Sequence, residues 1–235
     1  MLKKCLIFGL IICSVALNQL ALAGTWKDSF EDDITSEWTL FSGNHKKEKW
    51  RVHEGEAIGE TINHPDFLSF WITGDAKWQN YAVSCRAQLT KVKKDSASFG
   101  LLLYLKRDRL SLYLFRIHYD SGFANIVKIL PPPQRPVQLG SLDMNVQVDK
   151  WYRLTAAVYK NGTLEFQIGK KLLKVVDHNP MLESGKAGLV VDSAQARFDD
   201  VEITGVNIRD GGPGKGRPVE PQTKLATIWG QLKND

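Results

Sequence analysis

Arg116 and His118 stand two residues apart in the run Leu110-Ser111-Leu112-Tyr113-Leu114-Phe115-Arg116-Ile117-His118-Tyr119, which is otherwise mostly apolar. On a β-strand that spacing puts both on one face. A guanidinium beside an imidazole, with aromatic rings close by, suits a sugar: planar polar groups hold hydroxyls, and flat rings cover the sugar's C–H surface. The rings within reach of such a site are Trp71, Tyr104, Tyr113 and Tyr119, and the polar partners are Arg86, Arg116, His118 and Asp120. The expected ligand-binding set is therefore Trp71, Arg86, Tyr104, Tyr113, Arg116 and His118 on the face of a central sheet. Each aromatic residue alone reads as core before it reads as a platform, since this fold must bury many of them. No catalytic group is assigned, and His118 and Asp120 are the only candidates for acid or base work.

A second constellation is Asp199-Asp200. Two carboxylates could give oxygens to a structural calcium, with backbone carbonyls completing the shell. The other reading leaves one Asp in solvent and uses its neighbour to cap a bulge. The five histidines, at 45, 53, 64, 118 and 178, show no paired metal-ligand spacing. Asn161-Gly162-Thr163 is a glycosylation sequon, but turn chemistry already explains Asn-Gly. Nucleophile elbow, phosphate loop and dinucleotide fingerprint are all absent from the sequence.

The elements that must hold these residues are strands. Leu154, Ala156 and Val158 alternate in Trp151 to Tyr159, Asn161-Gly162 reads as a two-residue type I′ turn, and Leu164, Phe166 and Ile168 return on the same period. Leu172 to Val176, Gly188 to Val191 and Ala196 to Ile203 continue the pattern. Earlier strands cover Trp26 to Phe30, Trp50 to His53, Glu56 to Gly59, Phe67 to Ile72 and Asn80 to Val92. In the last of these Val83, Cys85, Ala87 and Leu89 face the core, while Ser84, Arg86, Gln88 and Thr90 face water. Phe99 to Leu105 and Leu110 to Tyr119 are apolar on both faces, which places them centrally, with the second sheet on one side and a loop or ligand on the other. Asn125 to Leu130 ends at Pro131-Pro132-Pro133, and Gln134 to Asn145 reads as a long irregular connection. The whole is the grammar of an antiparallel β-sandwich.

At 235 residues the chain suits one such domain. Lys3-Lys4, the apolar stretch Cys5 to Leu17 and Ala21-Leu22-Ala23 fit a signal peptide over residues 1–23, too short to span a membrane. The expected protein is thus exported, periplasmic or extracellular, with no transmembrane span after cleavage. Its maturation would leave Cys85 as the lone cysteine and the formal charge at +3 instead of +5. A surplus so small and so dispersed does not point to nucleic acid. The domain occupies residues 24–208, and a Gly/Pro-rich linker over 209–222 leads to a short segment over 223–235. There Leu225, Ile228, Trp229 and Leu232 fall at helical spacing, so the segment either docks a protein partner or the cell envelope, or folds back on its own domain.

Taken in order, Trp151-Tyr152-Arg153-Leu154, Asn161-Gly162, Leu164-Glu165-Phe166, Gly185-Lys186-Ala187-Gly188-Leu189 and Ala196-x-Phe198-Asp199-Asp200-Val201-x-Ile203 resemble the concanavalin A-like, laminin-G-like jelly rolls of bacterial exported proteins. They are also similar to the 3-keto-disaccharide hydrolase (DUF1080) group within that fold, as are Phe30-x-Asp32 to Trp38 and Trp50-Arg51-Val52-x-x-Gly55 at the start of the domain. The resemblance implies a jelly-roll fold over residues 24–208, with structural calcium common in such domains, and hydrolysis of a glycosidic bond in a 3-keto sugar as one activity. Where the hydrolase-like group shows Asn-Ser-Gly, this chain has Ser96-Ala97-Ser98-Phe99-Gly100. The Glu-x-Asp-x-x-Glu of laminarinase-type enzymes is absent. These motifs are turn and core residues, which speak to fold more than to activity. The expectation is a carbohydrate- or glycoconjugate-binding module, with the hydrolase and a protein-docking module as alternatives.

Overall fold

Period-2 alternation becomes fifteen strands in the computed structural model, which describes residues 23–41, 49–62, 68–93, 97–106, 110–180 and 182–213. They are β1 (Gly24–Asp28), β2 (Thr39–Phe41), β3 (Lys49–His53), β4 (Glu56–Glu60), β5 (Leu68–Thr73), β6 (Tyr81–Val92), β7 (Ser98–Lys106) and β8 (Ser111–His118). The chain continues through β9 (Phe123–Ile129), β10 (Val137–Asp143), β11 (Trp151–Val158), β12 (Thr163–Ile168), β13 (Lys171–Val176), β14 (Lys186–Asp192) and β15 (Ala194–Gly205). One sheet runs β13-β12-β11-β6-β15-β4-β3, with β1 also pairing β15, and the other runs β10-β9-β8-β7-β14-β5-β2. All named pairings are antiparallel.

Between the sheets lie the residues that the alternation assigned to the core. Val83, Cys85, Ala87 and Leu89 of β6 meet Leu101, Leu103, Phe115, Ile117 and Leu189 of the second sheet. Each large apolar side chain moved here from water contributes about 1.5–3 kcal/mol. One end of this core is aromatic: Trp71 stacks on Trp38 at 4.8 Å and on Trp50 at 5.4 Å. The buried Asp28 carboxylate fixes that end, accepting from Trp38 Nε1 at 2.7 Å and from the Phe30 backbone N–H at 2.8 Å. Burial raises the Asp28 carboxyl above its ordinary value, against the pull of those two hydrogen bonds.

Two local expectations are corrected. The 134–145 stretch is not an irregular connection, because Val137–Asp143 forms β10, an edge strand paired with β9 through a register shift between Gln138 and Gly140. The turn after β11 is not type I′, because Gly162 has φ +80° while Asn161 is not left-handed. Gly162 N donates to Tyr159 O at 3.0 Å and Tyr159 N to Thr163 O at 2.9 Å. That is a three-residue loop with glycine in the left-handed position. Asn161 contributes through its side chain, accepting from Thr163 N.

Candidate functional site

Where β6 begins and β11 ends, the two sheets part around a cavity of about 350 Å³. Its walls include Tyr104, Tyr113, Val158, Tyr159, Pro180 and Leu182, with Gln79, Asn80, Lys160 and Glu183 as polar groups. The size falls at the low end of the roughly 300–1,000 Å³ typical of ligand pockets.

Tyr104 faces this cavity because of a bulge. The pairing of β7 with β8 slips between Leu103 and Lys106, and Tyr104 takes φ +61°. A left-handed conformation at a bulky residue is strained, and such strain concentrates at functional sites. Several contacts hold it there. Tyr104 N donates to Tyr81 Oη at 3.1 Å, Tyr81 Oη donates to Gly185 O at 3.1 Å, and Asn80 N donates to Tyr104 Oη at 2.7 Å. The Tyr104 ring lies 5.4 Å from Tyr81 and 6.1 Å from Tyr113. Gly185 permits the approach, since a Cβ there would sit 2.2 Å from the Tyr104 carbonyl carbon.

The opposite wall hangs on a buried ion pair. Lys128 Nζ donates to Asp177 Oδ1 at 2.9 Å, to Oδ2 at 2.8 Å and to Asn179 O at 3.0 Å. Tyr113 Oη donates to Asp177 Oδ2 at 2.8 Å, and Asp177 N donates to Gly162 O. The connection that carries Pro180 and Leu182 is thereby fastened to β8, β9 and the β11–β12 turn. Burial pushes the hydroxyls of Tyr81, Tyr104 and Tyr113 upward from the ordinary tyrosine value, and the Asp177 charge adds to this at Tyr113. All three therefore stay protonated near neutrality and act as neutral hydrogen-bonding groups. The cavity offers aromatic faces and uncharged donors, with Lys160 and Glu183 exposed among its lining residues.

The fold is an antiparallel jelly-roll β-sandwich, shared with carbohydrate-binding and carbohydrate-cleaving proteins of known structure. The carbohydrate binding module CBM66 from Bacillus subtilis superposes with a TM-score of 0.57 at 16% identity, covering 71% of this chain and 94% of that one. The cellulose-induced protein Cip1 gives 0.57 at 14% identity over 79% of this chain and 98% of its own. Porphyranase B from Zobellia galactanivorans gives 0.55 at 10% identity over 77% and 93%. Neither a family model nor a curated protein sequence matches the chain.

Within this jelly roll the expected site residues do not share a surface. Trp71 is buried in the aromatic core stack against Trp38 and Trp50, away from the residues that line the cavity. Tyr104 and Tyr113 line the cavity between the sheets, whereas Arg116 and His118 project from the other face of β8. Tyr113 and Arg116 are three residues apart, an odd step that a strand turns into opposite faces. Arg86 belongs to the other sheet altogether, where its guanidinium lies 4.6 Å over the Trp151 ring and 3.4 Å from Asp199.

On the outer face of the second sheet Arg116 meets Asp192 at 3.8 Å, and His118 hydrogen-bonds Asn125 at 3.2 Å while stacking on Phe123 at 4.5 Å. Asn125 Nδ2 donates in turn to Gln138 Oε1. Burial, then the neighbouring Arg116 charge, holds the His118 imidazole down at about 4, so it is neutral at pH 7. Arg116 Nε and Ser98 Oγ are buried there with no hydrogen-bond partner among the described residues. Asp120 is exposed in the turn that follows β8.

Asp199 and Asp200 form the β15 bulge: Asp200 has φ +52°, its N–H donates to Asp199 Oδ1, and Arg86 reaches both carboxylates. Calcium takes about six to eight oxygens. Two carboxylates engaged by a guanidinium do not fit that shell, and no group of three or more His, Cys, Asp or Glu suited to a metal occurs among the described residues. Cys85 is fully buried, and burial pushes its thiol up, away from reactivity.

Asn80, Asp177, Lys128 and Gly185 were missed by sequence reasoning. Lys128 could have been found, because it follows Ala124 and Ile126 on the inward face of β9. A lysine in a core position calls for a buried carboxylate partner.

Proposed function

We propose that the chain is an exported carbohydrate-binding module that takes the end of a neutral saccharide into the cavity between its sheets. One observation supports this above the others: an open cavity of about 350 Å³ walled by tyrosine rings, with Tyr104 strained toward it. Tyr104 Oη accepts from Asn80 N, which leaves its own proton for a sugar oxygen. The exposed ring of Tyr159 suits the apolar side of a pyranose, the buried rings of Tyr104 and Tyr113 floor the cavity, and Asn80, Gln79 and Lys160 supply further donors and acceptors. Sugar-binding and sugar-cleaving proteins on the same fold agree with the reading but do not assign the ligand.

Calorimetric titration of the full mature chain with mono- and oligosaccharides tests it. Tyr104→Phe should weaken binding about tenfold, the equivalent of one hydrogen bond of ~1.4 kcal/mol. Arg86→Ala should leave it unchanged. A second reading places the sugar on the outer face at Arg116 and His118, supported by the unpartnered Arg116 Nε and Ser98 Oγ. Arg116→Ala then abolishes binding while Tyr104→Phe does not. Hydrolysis of a 3-keto sugar would need two titratable groups converging on one bond, and turnover of any ligand found is the measurement that decides it.

A further inference from the structure

The second sheet has two apolar faces. Trp71, Leu101, Leu103, Phe115, Ile126 and Leu189 point between the sheets. Their neighbours Phe70, Ile72, Leu102, Leu105, Leu112, Leu114, Val127 and Val190 point the other way and form a separate cluster, rimmed by Phe41, Leu68 and Ile129. The register ties it together, since Phe70 pairs with Val190 and Leu102 with Leu114, which pairs with Val127. None of the eight is more than 6% exposed, although every strand of the first sheet lies on the opposite side. A bare sheet face cannot be so inaccessible, and apolar patches of this extent mark contact surfaces.

The rest of the chain narrows the choice of cover. Residues 42–48, 94–96 and 107–109 carry no large apolar side chain, and 63–67 and 181 carry one each, Phe67 and Met181. Residues 1–22 carry the apolar run Cys5 to Leu17, but as the expected leader they are lost on export, so the mature chain must cover the face with another segment. The remaining segment is C-terminal, with Leu225, Ile228, Trp229 and Leu232 on one helical stripe. The chain also leaves the domain in the right place. Gly211 is hydrogen-bonded to β1 through Thr25 and Lys27, and it lines a recess with Gly74 and Asp75, just past Ile72 on β5. Twelve residues from Pro213 to Leu225 reach about 40 Å when extended and about 17–21 Å as a flexible coil. Crossing from β5 to β9 is four strand spacings, about 19 Å.

We infer that the segment Lys224–Asp235 docks as an amphipathic helix on the outer face of the second sheet, with Leu225, Ile228, Trp229 and Leu232 against Ile72, Leu102, Leu112 and Leu114. The mode is helix in groove, supplied by the chain's own tail.

The test compares the mature full-length chain with a Trp229→Ser variant and with a chain ending at Pro213, using melting temperature, fluorescence of a dye that binds exposed apolar surface, and size-exclusion chromatography. Both changes should lower the melting temperature by several degrees and raise dye binding several-fold. The peptide Lys224–Asp235 added in trans should reverse both effects in the shortened chain. Trp229→Ser alters only the tail, so the domain's folding is not at issue in that arm. An unchanged melt and dye response in both variants would overturn the assignment. So would a full-length chain that is dimeric and remains dimeric after shortening, which would give the face to a second copy.

Discussion

Replacing Lys128 by Met should uncouple the cavity wall from the sandwich. Lys128 and Asp177 are both nearly inaccessible, at 6% and 5% exposure, and the lysine gives two of its donors to the Asp177 carboxylate. Removing the lysine leaves a buried carboxylate supported by the Tyr113 hydroxyl and the Asn179 N–H alone. Breaking one side of a buried pair costs about 3–5 kcal/mol, because the remaining charge is desolvated without compensation. At about 2–4 °C per kcal/mol for a domain of this size, the melting temperature should fall by roughly 6–20 °C. Asp177→Leu should cost as much by stranding the ammonium. The double variant should cost clearly less than the sum of the two, since neither charge remains. Urea denaturation of the four proteins closes the cycle. Single losses below about 1 kcal/mol, or strict additivity, would refute a fully buried pair. The lysine variant should also bind saccharide more weakly than its stability loss alone explains, because Pro180 and Leu182 are fastened through Asp177.

Gly185→Ala should lower stability by about 1–3 kcal/mol and impair ligand binding. The new methyl meets the Tyr104 backbone, which has no free torsion to relieve it; retention of wild-type melting would contradict the clash. The His118 imidazole, held at about 4 by burial and by Arg116, should make the protein less stable as pH falls from about 6.5 toward 4. The unfolded chain takes up the proton first in that window, so native stability present above pH 6.5 is lost. The upper limit is ~3 kcal/mol, reduced to about 2 by partial exposure. Arg116, Asp192, Asn125, Gln138 and Ser98 share that patch, of which only Asp192 could titrate between pH 4 and 6.5, and a His118→Gln variant with the same pH profile would sink the attribution. Asp28→Ala should cost about 2–4 kcal/mol by urea denaturation, because the Trp38 indole N–H and the Phe30 N–H lose their acceptor in a dry core. A near-neutral result would show that water reaches that end of the sandwich.

The strands that could be read from the sequence were those with one wet face or with two apolar ones. Val83, Cys85, Ala87 and Leu89 declared the inward face of β6, and the doubly apolar β7 and β8 occupy the middle of their sheet. β10 was illegible because an edge strand with a shifted register and mostly exposed side chains carries no hydrophobic alternation. The site suffered from the same physics. A bulge inverts the phase of β7, turning Tyr104 inward and Leu105 outward, so no strict period-2 reading places both. Trp71 was read as a ligand platform because composition cannot separate a buried indole from an exposed one. Asp177 and Lys128 are 49 residues apart and belong to different sheets, Asp177 just past β13 and Lys128 on β9, so only the packing of one sheet on the other brings them together.

The proposed function requires a saccharide to enter between the two sheets. Amide chemical-shift mapping of the mature chain, titrated with neutral mono- and oligosaccharides, tests it most directly. Entry there gives saturable shifts confined to Gln79, Asn80, Tyr104, Lys160, Gly162 and Glu183, and Tyr104→Phe needs about tenfold more ligand to reach the same saturation. Shifts centred on Arg116, His118 and Asn125, or on Arg86 and Trp151, would place the ligand on an outer face and contradict it.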